Sequence, residues 1–502
     1  MSSPRTACNI LQARHALTGK GAATLKTINI HTLHLPIFAL FSTALLSACS
    51  FQSYSAKPID PVQSVQHYRA HDPVSAEFHS YAIAQGYPAD RLPIQQWGLR
   101  ELTLSALFFH PQLDIARADL QASRAREISA GQRPNPTLSG SRGKSEDEVS
   151  PWIYSIGIDM PIQTAGKRQA SIEQAVSLSE AARIEIGQSA WQVRNRLLNS
   201  WIEYNAAVHM REILQQELDL RSEIIDMLDA RFEAGMISSV DSSNARLQLQ
   251  KTQQSLATEK GRIPQLRAAL ASNAGLAPES FARIDLATRN LDEIAATPHH
   301  TMVAREGSDA LQDAALLNRL DIRAALARYD AAEKRLRLEV ARQYPDITLS
   351  PSHIYEEGFH IWSLGLAALL PLLNQNDGLI AEANALREVE AAQFEALQAK
   401  IIGDMEQARA RYYAAIDTLE LARQVKSAHQ ARLGQITQQF TDGYVDRLEL
   451  ATAKLENLAA MQNLLAAEYD VQRAAAALED VLQRPLEEMH SVPGNMQQAV
   501  TR

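Results

Sequence analysis

The chain has 502 residues, of which 46% are hydrophobic and 21% charged, and its formal net charge is −9. An acidic chain is poorly suited to nucleic acid, which is bound by basic surfaces, so no nucleic-acid partner is expected. The only cysteines are Cys8 and Cys49. Without a disulfide framework, a chain of this size must be stabilised by packing and assembly.

The first 48 residues have the pattern of an export signal. Their charged residues are four cations and no acid: Arg5, Arg14, Lys20 and Lys26. An apolar stretch from residue 33 to 46 follows, and it is too short to span a bilayer. It leads into Leu46-Ser47-Ala48-Cys49, which resembles a bacterial lipobox and implies cleavage before Cys49 and lipid attachment to its sulfur. The alternative is an ordinary cleaved signal in which Cys49 has no role. Removing the four cations of the signal would change the net charge from −9 to −13.

Two segments break an otherwise helical composition, the first from Arg133 to Pro161 and the second from Tyr344 to Pro371. In each, apolar residues alternate with small or polar ones, which predicts strands with one apolar face. The segments therefore predict β-hairpins at about 136–160 and about 346–370. The positions expected to face lipid are Trp152, Tyr154, Ile156, Ile158, Trp362, Leu364 and Leu366. A hairpin buried in a soluble helical protein is the alternative interpretation.

Strands with one face towards lipid and one towards water are typical of a membrane β-barrel. The two hairpins supply only four strands, which cannot close a barrel, since small membrane barrels begin at about eight strands. Strand edges left open in lipid would leave backbone groups without hydrogen bonds. Closure therefore requires several copies of the chain in a cyclic oligomer.

A long helix is predicted from Lys167 to Arg231, a stretch that contains no proline. At about 1.5 Å per residue it would reach roughly 95 Å, which is typical of a coiled-coil-like strut and not of a globular helix. Its apolar residues step by threes and fours, which indicates one buried face. They are Val193, Leu197, Trp201, Tyr204 and Val208.

The chain contains two copies of one pattern, separated by 208 residues. Phe232-Glu233-Ala234-Gly235 returns as Phe440-Thr441-Asp442-Gly443, and a constant offset is what continuous helices require. The division predicted from this duplication is a signal at 1–48, an N-terminal extended segment at 49–95, a first repeat at 96–278, a linking segment at 279–316, a second repeat at 317–486 and a tail at 487–502.

These features resemble the TolC-like outer-membrane efflux proteins over about residues 96 to 490. The resemblance rests on the stretch from Trp97-Gly98-Leu99 to Pro111-Gln112-Leu113, on the strand exits Pro161–Arg168 and Pro371–Gly378, and on the two helix-turn-helix tips. The strand exits look most like the branch that serves heavy-metal cation efflux. Ile263-Pro264-Gln265-Leu266 is instead similar to lipoprotein channels of drug efflux pumps.

The resemblance implies a mainly α fold with a small β part. Three chains would form a 12-stranded transmembrane β-barrel, with four strands from each chain, and a long helical tunnel across the periplasm. The implied function is a passive duct of a tripartite efflux system in the outer membrane. Its implied partners are a periplasmic adaptor protein, an inner-membrane pump and outer-membrane lipid. Drug or solvent efflux, type I secretion by the same fold, and a periplasmic structural coiled-coil lipoprotein are the alternatives.

The same resemblance implies roles for residues at the two tips. Adaptor docking is expected at Gly235, Ile237, Ser238, Gly443 and Tyr444. Six residues past each glycine lies an acid, Asp241 or Glu449. The gate of the tunnel is expected at Glu449, and Asp241 is expected to tether neighbouring helices through Arg447. Thr452 stands where the family often has a second acid, and an ordinary solvated helix face is the alternative for all these residues.

No enzyme, cofactor or metal site is expected. A glycine-rich phosphate loop, a nucleophile elbow and a histidine–glutamate zinc motif are all missing from the predicted mature chain. The 14 histidines do not fall at ligand spacing on any predicted helix, and His299-His300 lies in a predicted loop without a third ligand.

Overall fold

The computed structural model describes residues 52–146, 152–287 and 316–486. Cys49, His299 and His300 therefore lie outside the described residues. The chain divides into two units, residues 1–61 and 62–502. In the first unit, residues 52–60 have no regular secondary structure; the strands and almost all helical residues described below belong to the second.

The fold is mainly helical with one small sheet, as predicted. The helices are α1 (Pro61–Arg69), α2 (Ala76–Ala84), α3 (Leu99–Phe109), α4 (Pro111–Gly131), α5 (Lys167–Glu233), α6 (Ser239–Asn273), α7 (Pro278–Phe281), α8 (Leu320–Ala341), α9 (Asp377–Thr441) and α10 (Arg447–Leu482). The strands are β1 (Thr137–Lys144), β2 (Trp152–Ile162), β3 (Ile347–Glu356) and β4 (Phe359–Ala368). A short 3₁₀ turn at Ala89–Arg91 precedes α3.

The two repeats have the same plan of a very long helix followed by one about half its length. Helices α5 and α9 have 67 and 65 residues, and α6 and α10 have 35 and 36. The helix predicted from Lys167 to Arg231 is confirmed and extends two residues further. Within each repeat the shorter helix packs back along the longer one, and α5 also packs against α10. Leu198, Ile202 and Ile213 of α5 form an apolar cluster with Leu465 and Tyr469 of α10.

A second apolar cluster surrounds the middle of α5. Phe78 stacks on Phe109 with ring centroids 5.6 Å apart and on Trp97 at 5.9 Å. The Trp97 amide donates to the Asp285 carbonyl at 2.8 Å. Residues 49–95 had been expected to form an extended segment; instead they contain α1 and α2. The reason is that Ser75 caps α2 and that Phe78 is fully buried in this cluster.

The four strands form one antiparallel sheet in the order β1-β2-β3-β4. The two predicted hairpins are present, and β2 pairs with β3 to join them. The sheet thus unites segments that are almost 200 residues apart in the chain. Strands β1 and β4 form its two edges.

Candidate functional site: the two-faced sheet and the helix tips

One face of the sheet is apolar. Residues paired directly across antiparallel strands point to the same side, and the register joins Ile156 to His353 and His353 to Trp362. All seven residues predicted to face lipid lie on this apolar face: Trp152, Tyr154, Ile156, Ile158, Trp362, Leu364 and Leu366. Their exposed fractions run from 38% at Trp152 to 80% at Trp362. A large apolar surface of this kind requires a covering partner.

The opposite face carries mainly small and hydroxyl-bearing residues and is called the polar face; its larger apolar residues, at the end nearest the hairpin turns, are Ile153, Ile354, Phe359 and Ile361. Ser141 and Ser155 share a hydrogen bond of 2.8 Å between their hydroxyls, and Ser352 and Ser363 share one of 2.7 Å. These paired serines lie directly across from each other in the register. The polar face can therefore border water while the apolar face does not.

Aromatic and cationic residues occupy the end of the apolar face nearest the hairpin turns. The Arg142 guanidinium lies 3.8 Å from the centre of the Trp152 ring and 5.8 Å from that of Tyr154. Tyr154 pairs with Tyr355, and Tyr355 with His360. Aromatic side chains with polar edges are typical of the boundary between lipid and water.

The strand exits fix the sheet to the helices. Lys167, at the first position of α5, donates to Asp346 at 2.6 Å, and the Thr164 hydroxyl donates to the Pro345 carbonyl at 2.6 Å. Gly166 precedes α5 with a φ of +73°, which glycine adopts without strain. In the second repeat Asn376 precedes α9 with a φ of +65°. The side-chain amide of Asn376 donates to the Glu339 backbone carbonyl at 2.8 Å.

Both tips end their long helix in the same way. The Gly235 amide donates to the Phe232 carbonyl, and the Met236 amide to the Arg231 carbonyl. At the second tip, Gly443 and Tyr444 donate in the same pattern to Phe440 and Gln439. This is the Schellman arrangement, in which the glycine has a positive φ; the φ angles are +71° at Gly235 and +80° at Gly443.

The predicted docking residues lie together at these tips. Gly235, Ser238, Gly443 and Tyr444 are exposed and Ile237 is half-buried. The side chain after each glycine is also prominently exposed, with 74% for Met236 and 82% for Tyr444. These exposed side chains suit contact with another protein.

The predicted gate residues lie at the surface of the single chain. Glu449, Asp241 and Arg447 are all exposed, and the described part of this chain contains no ion pair between Asp241 and Arg447. The Asp241 carboxylate instead accepts from the Ser238 amide at 3.2 Å and from its hydroxyl at 2.9 Å. Asp241 therefore caps its own helix in a capping box, at the third residue of α6. Its contact with Arg447 of a neighbouring helix stays a prediction.

The ion pair that joins the two repeats at the tips is Arg231 with Asp446. Asp446 caps α10 by accepting from the Glu449 amide at 2.9 Å. This backbone hydrogen bond, followed by the hydrogen bond from Arg231, lowers the pKa of the Asp446 carboxyl. Sequence reasoning missed Asp446, although an aspartate three residues before Glu449 is a recognisable capping signal.

Membrane-spanning helices and metal clusters can be assessed over residues 52–146, 152–287 and 316–486. None of the helices there is both long and apolar enough to cross a membrane. No group of three or more His, Cys, Asp or Glu residues there is placed to hold a metal ion.

A family model described as outer membrane efflux protein matches residues 104–276 and 311–483, which together exceed half of the 502 residues. The chain belongs to the outer membrane efflux protein family. The resemblance inferred from the sequence is thereby confirmed, and this family's model occurs twice, in agreement with the duplicated architecture.

One protein similar in sequence to this chain is the cobalt-zinc-cadmium resistance protein CzcC of Cupriavidus metallidurans. It is 27% identical over 292 residues, which make up 58% of this chain and 66% of CzcC. The alignment thus spans just under two thirds of that relative.

Two solved structures share the fold of this efflux protein. The outer-membrane channel OprN is 20% identical with a TM-score of 0.64, covering 89% of this chain and 100% of OprN. The outer membrane protein VceC from Vibrio cholerae is 21% identical with a TM-score of 0.61, covering 78% and 97% of the two chains.

Proposed function

We propose that this protein is the outer-membrane duct of a tripartite efflux system. Three copies would share one wall, and solutes would pass through it without chemical change. The observation that carries the proposal is the two-faced sheet, because an apolar face beside a hydroxyl-lined face suits lipid on one side and water on the other.

The trimer follows from the two sheet edges. Among the described residues, β1 and β4 have one strand neighbour each. Open edges in lipid would leave amide and carbonyl groups without hydrogen bonds. Three copies would give twelve strands, with β4 of one chain pairing with β1 of the next. Family membership supports this assembly.

The helix tips are proposed to contact a periplasmic adaptor protein, which would connect the duct to an inner-membrane pump. Gly235, Ile237, Ser238, Gly443 and Tyr444 remain the proposed docking residues, and the exposure of Met236 supports adding it to them. Glu449 is proposed to line the gate, since three copies of one carboxylate around an axis would attract cations. Arg447 and Asp241 stay proposed gate neighbours, with Asp241 acting as a helix cap.

The finer details of localisation are proposals of the same kind. Cys49 is proposed to carry lipid that anchors the chain to the outer membrane. The limits of the two repeats, at 96–278 and 317–486, stay predictions.

The similarity to a cobalt-zinc-cadmium resistance protein supports divalent heavy-metal cations as the exported solutes.

The proposal predicts that the purified full chain forms cation-conducting pores in planar bilayers. Glu449→Gln should reduce cation selectivity and weaken block by trivalent cations, because the substitution removes the gate charges and preserves side-chain size. Asp442→Asn is the matched control, since Asp442 is an exposed acid of the same tip whose carboxylate accepts from the Gln438 amide. It should leave block unchanged.

Two outcomes would contradict the proposal. A folded, membrane-inserted protein that never conducts would exclude the duct. Equal block of the wild type and Glu449→Gln would remove Glu449 from the gate. A deletion strain tested on cobalt, zinc and cadmium salts, alongside dyes and antibiotics, would separate heavy-metal efflux from drug efflux.

A further inference from the structure

Two histidines meet on the apolar face of the sheet near the second hairpin turn. The Nε2 atom of His353 lies 3.1 Å from the Nδ1 atom of His360. Their rings are stacked with centroids 5.3 Å apart. His353 is half-buried and His360 is exposed in the single chain, and both lie at the aromatic end of the apolar face, where the proposed lipid surface meets water.

The hairpin brings these side chains together. His353 pairs with Trp362 and His360 pairs with Tyr355, so the two histidines are diagonal neighbours on one face. The Trp362 ring lies 4.6 Å from the His353 ring, and the Tyr355 ring 5.2 Å from the His360 ring. These aromatic walls restrict the imidazole rotamers, which reduces the entropy lost when a ligand fixes them.

Two ring nitrogens at this separation can bind one metal ion. Bonds from histidine nitrogen to a transition metal are about 2.0–2.1 Å long, and two such bonds to nitrogens 3.1 Å apart would subtend roughly 98° at the metal. This angle lies between the square-planar and tetrahedral values. In the metal-free pair one ring donates its N–H to the other nitrogen. Metal binding would therefore require the donating imidazole to carry its proton on its other nitrogen. This change of tautomer leaves the charge of the histidine pair unaltered.

We propose that His353 and His360 form a two-imidazole site for a late first-row divalent cation, with water completing the coordination. Imidazole suits copper, nickel and zinc, and the general order of affinity places Cu²⁺ first. Glu357 lies in the adjoining turn, and its carboxylate favours cations nearby. The site is on the apolar face, opposite the serine pairs, so it is separate from the proposed path of the exported solute.

Only two protein ligands are available, because the described residues contain no larger cluster of ligating side chains. The site should therefore bind reversibly. A second close pair, His67 and His71, has ring centroids 5.6 Å apart. There the Nδ1 atom of His71 is hydrogen-bonded to the Gly275 carbonyl at 2.9 Å. The two rings of that pair are perpendicular, at 90°, whereas those of His353 and His360 are stacked at 29°. The His67–His71 pair is the control for metal binding by two close imidazoles elsewhere on the chain.

The test is titration of the full-length protein in detergent with copper(II) chloride. Bound Cu²⁺ should quench the fluorescence of Trp362 and give an electron paramagnetic resonance spectrum with coupling to two nitrogens. We expect one saturable site per chain. His353→Ala or His360→Ala should each weaken binding by roughly a hundredfold, since the second imidazole acts at high effective concentration. His67→Ala should bind Cu²⁺ as the wild type does.

Equal copper affinity of the wild type and the His353→Ala/His360→Ala double variant would overturn the proposal, as would loss of the site in His67→Ala. Trp362→Phe should abolish the quenching while binding measured by calorimetry persists; loss of both would show that the two imidazoles do not suffice to bind the ion, which would contradict the proposal. Circular dichroism and pore conductance of each variant establish that it is folded. Copper affinity and conductance are independent measurements, so failure of this site would leave the proposed duct intact.

Discussion

Gly235 and Gly443 occupy equivalent turns in the two repeats, and both have a positive φ. A Cβ atom at either position would meet no heavy atom within 4 Å. Any cost of substitution is therefore conformational and not steric. Alanine in the left-handed region costs about 1–2 kcal/mol.

We predict that Gly235→Ala and Gly443→Ala each lower the midpoint of thermal unfolding. Gly261→Ala is the control, because Gly261 lies inside α6 with open space around it and without a positive φ. That substitution should raise the midpoint, since alanine is the better helix former by up to about 1 kcal/mol. If all three variants shifted in the same direction, the left-handed geometry of the tips would be irrelevant to stability.

At the residue scale, features set by neighbouring residues could be predicted from the sequence, whereas contacts between residues distant in the chain could not. Gly235 and Gly443 could be placed from the local sequence because a glycine after a long helical pattern signals its end. The buried ion pair between Arg194 and Glu479, at 2.9 Å, could not be predicted. Its residues are 285 positions apart, and their pairing depends on which faces of α5 and α10 meet. The diagonal pair His353 and His360 was missed for a related reason, because their proximity depends on the register of the hairpin and not on spacing along a helix.

At the scale of elements, the junction between α5 and α10 should respond to acid. The pKa of Asp446 lies below its ordinary value of 3.8 because the carboxylate accepts from the Glu449 amide and from Arg231. A carboxyl whose pKa is lowered by folding stabilises the folded state above its ordinary pKa. This contribution is lost as the pH falls through the native pKa. The window is therefore below about pH 4.

We predict that amide hydrogen exchange in the first turn of α10, corrected for intrinsic rates, is constant from pH 7 to about 4 and faster below. Asp446→Asn should speed exchange at pH 6 and flatten the dependence, because asparagine still caps the helix but lacks the charge. The first turn of α6 is the internal control. There the Ser242 hydroxyl and Arg246 of α6 donate to Asp229 of α5, and these hydrogen bonds, that of Ser242 first, lower the pKa of Asp229. This contact should keep its own response to acid in Asp446→Asn. An unaltered acid response of α10 in Asp446→Asn would exclude Asp446 as its source.

The strands and long helices were largely predictable because each has a strict period. Alternation over Trp152 to Met160 located β2, and the absence of proline from Lys167 onward located α5. The order of the four strands was harder to predict. The β2–β3 pairing joins residues such as Tyr154 and Tyr355, and alternation within one strand carries no information about its neighbour. Helix α2 was missed because it is short and depends on burial of Phe78.

For the whole molecule, the apolar and polar faces of the sheet make opposite demands on a charged side chain. Leu364 and Ser363 are adjacent in β4 and point to opposite faces. Leu364 pairs with Pro351, well inside the apolar band, and it is 69% exposed in the single chain. Under the proposed assembly Leu364 faces lipid and Ser363 faces water.

We predict that Leu364→Lys sharply reduces the amount of assembled trimer recovered from outer membranes, whereas Ser363→Lys does not. A lysine on the lipid face near the middle of the bilayer costs about 2–4 kcal/mol per chain, and a lysine in a wet lumen costs little. Three chains multiply this difference, so the contrast between two neighbouring positions should be large. The measurement is the fraction of heat-resistant oligomer in membrane fractions, with total expression as reference. Equal recovery of both variants would mean that the two faces of the sheet have the same surroundings. This result would exclude both the insertion of the sheet in the membrane and the barrel wall shared by three chains.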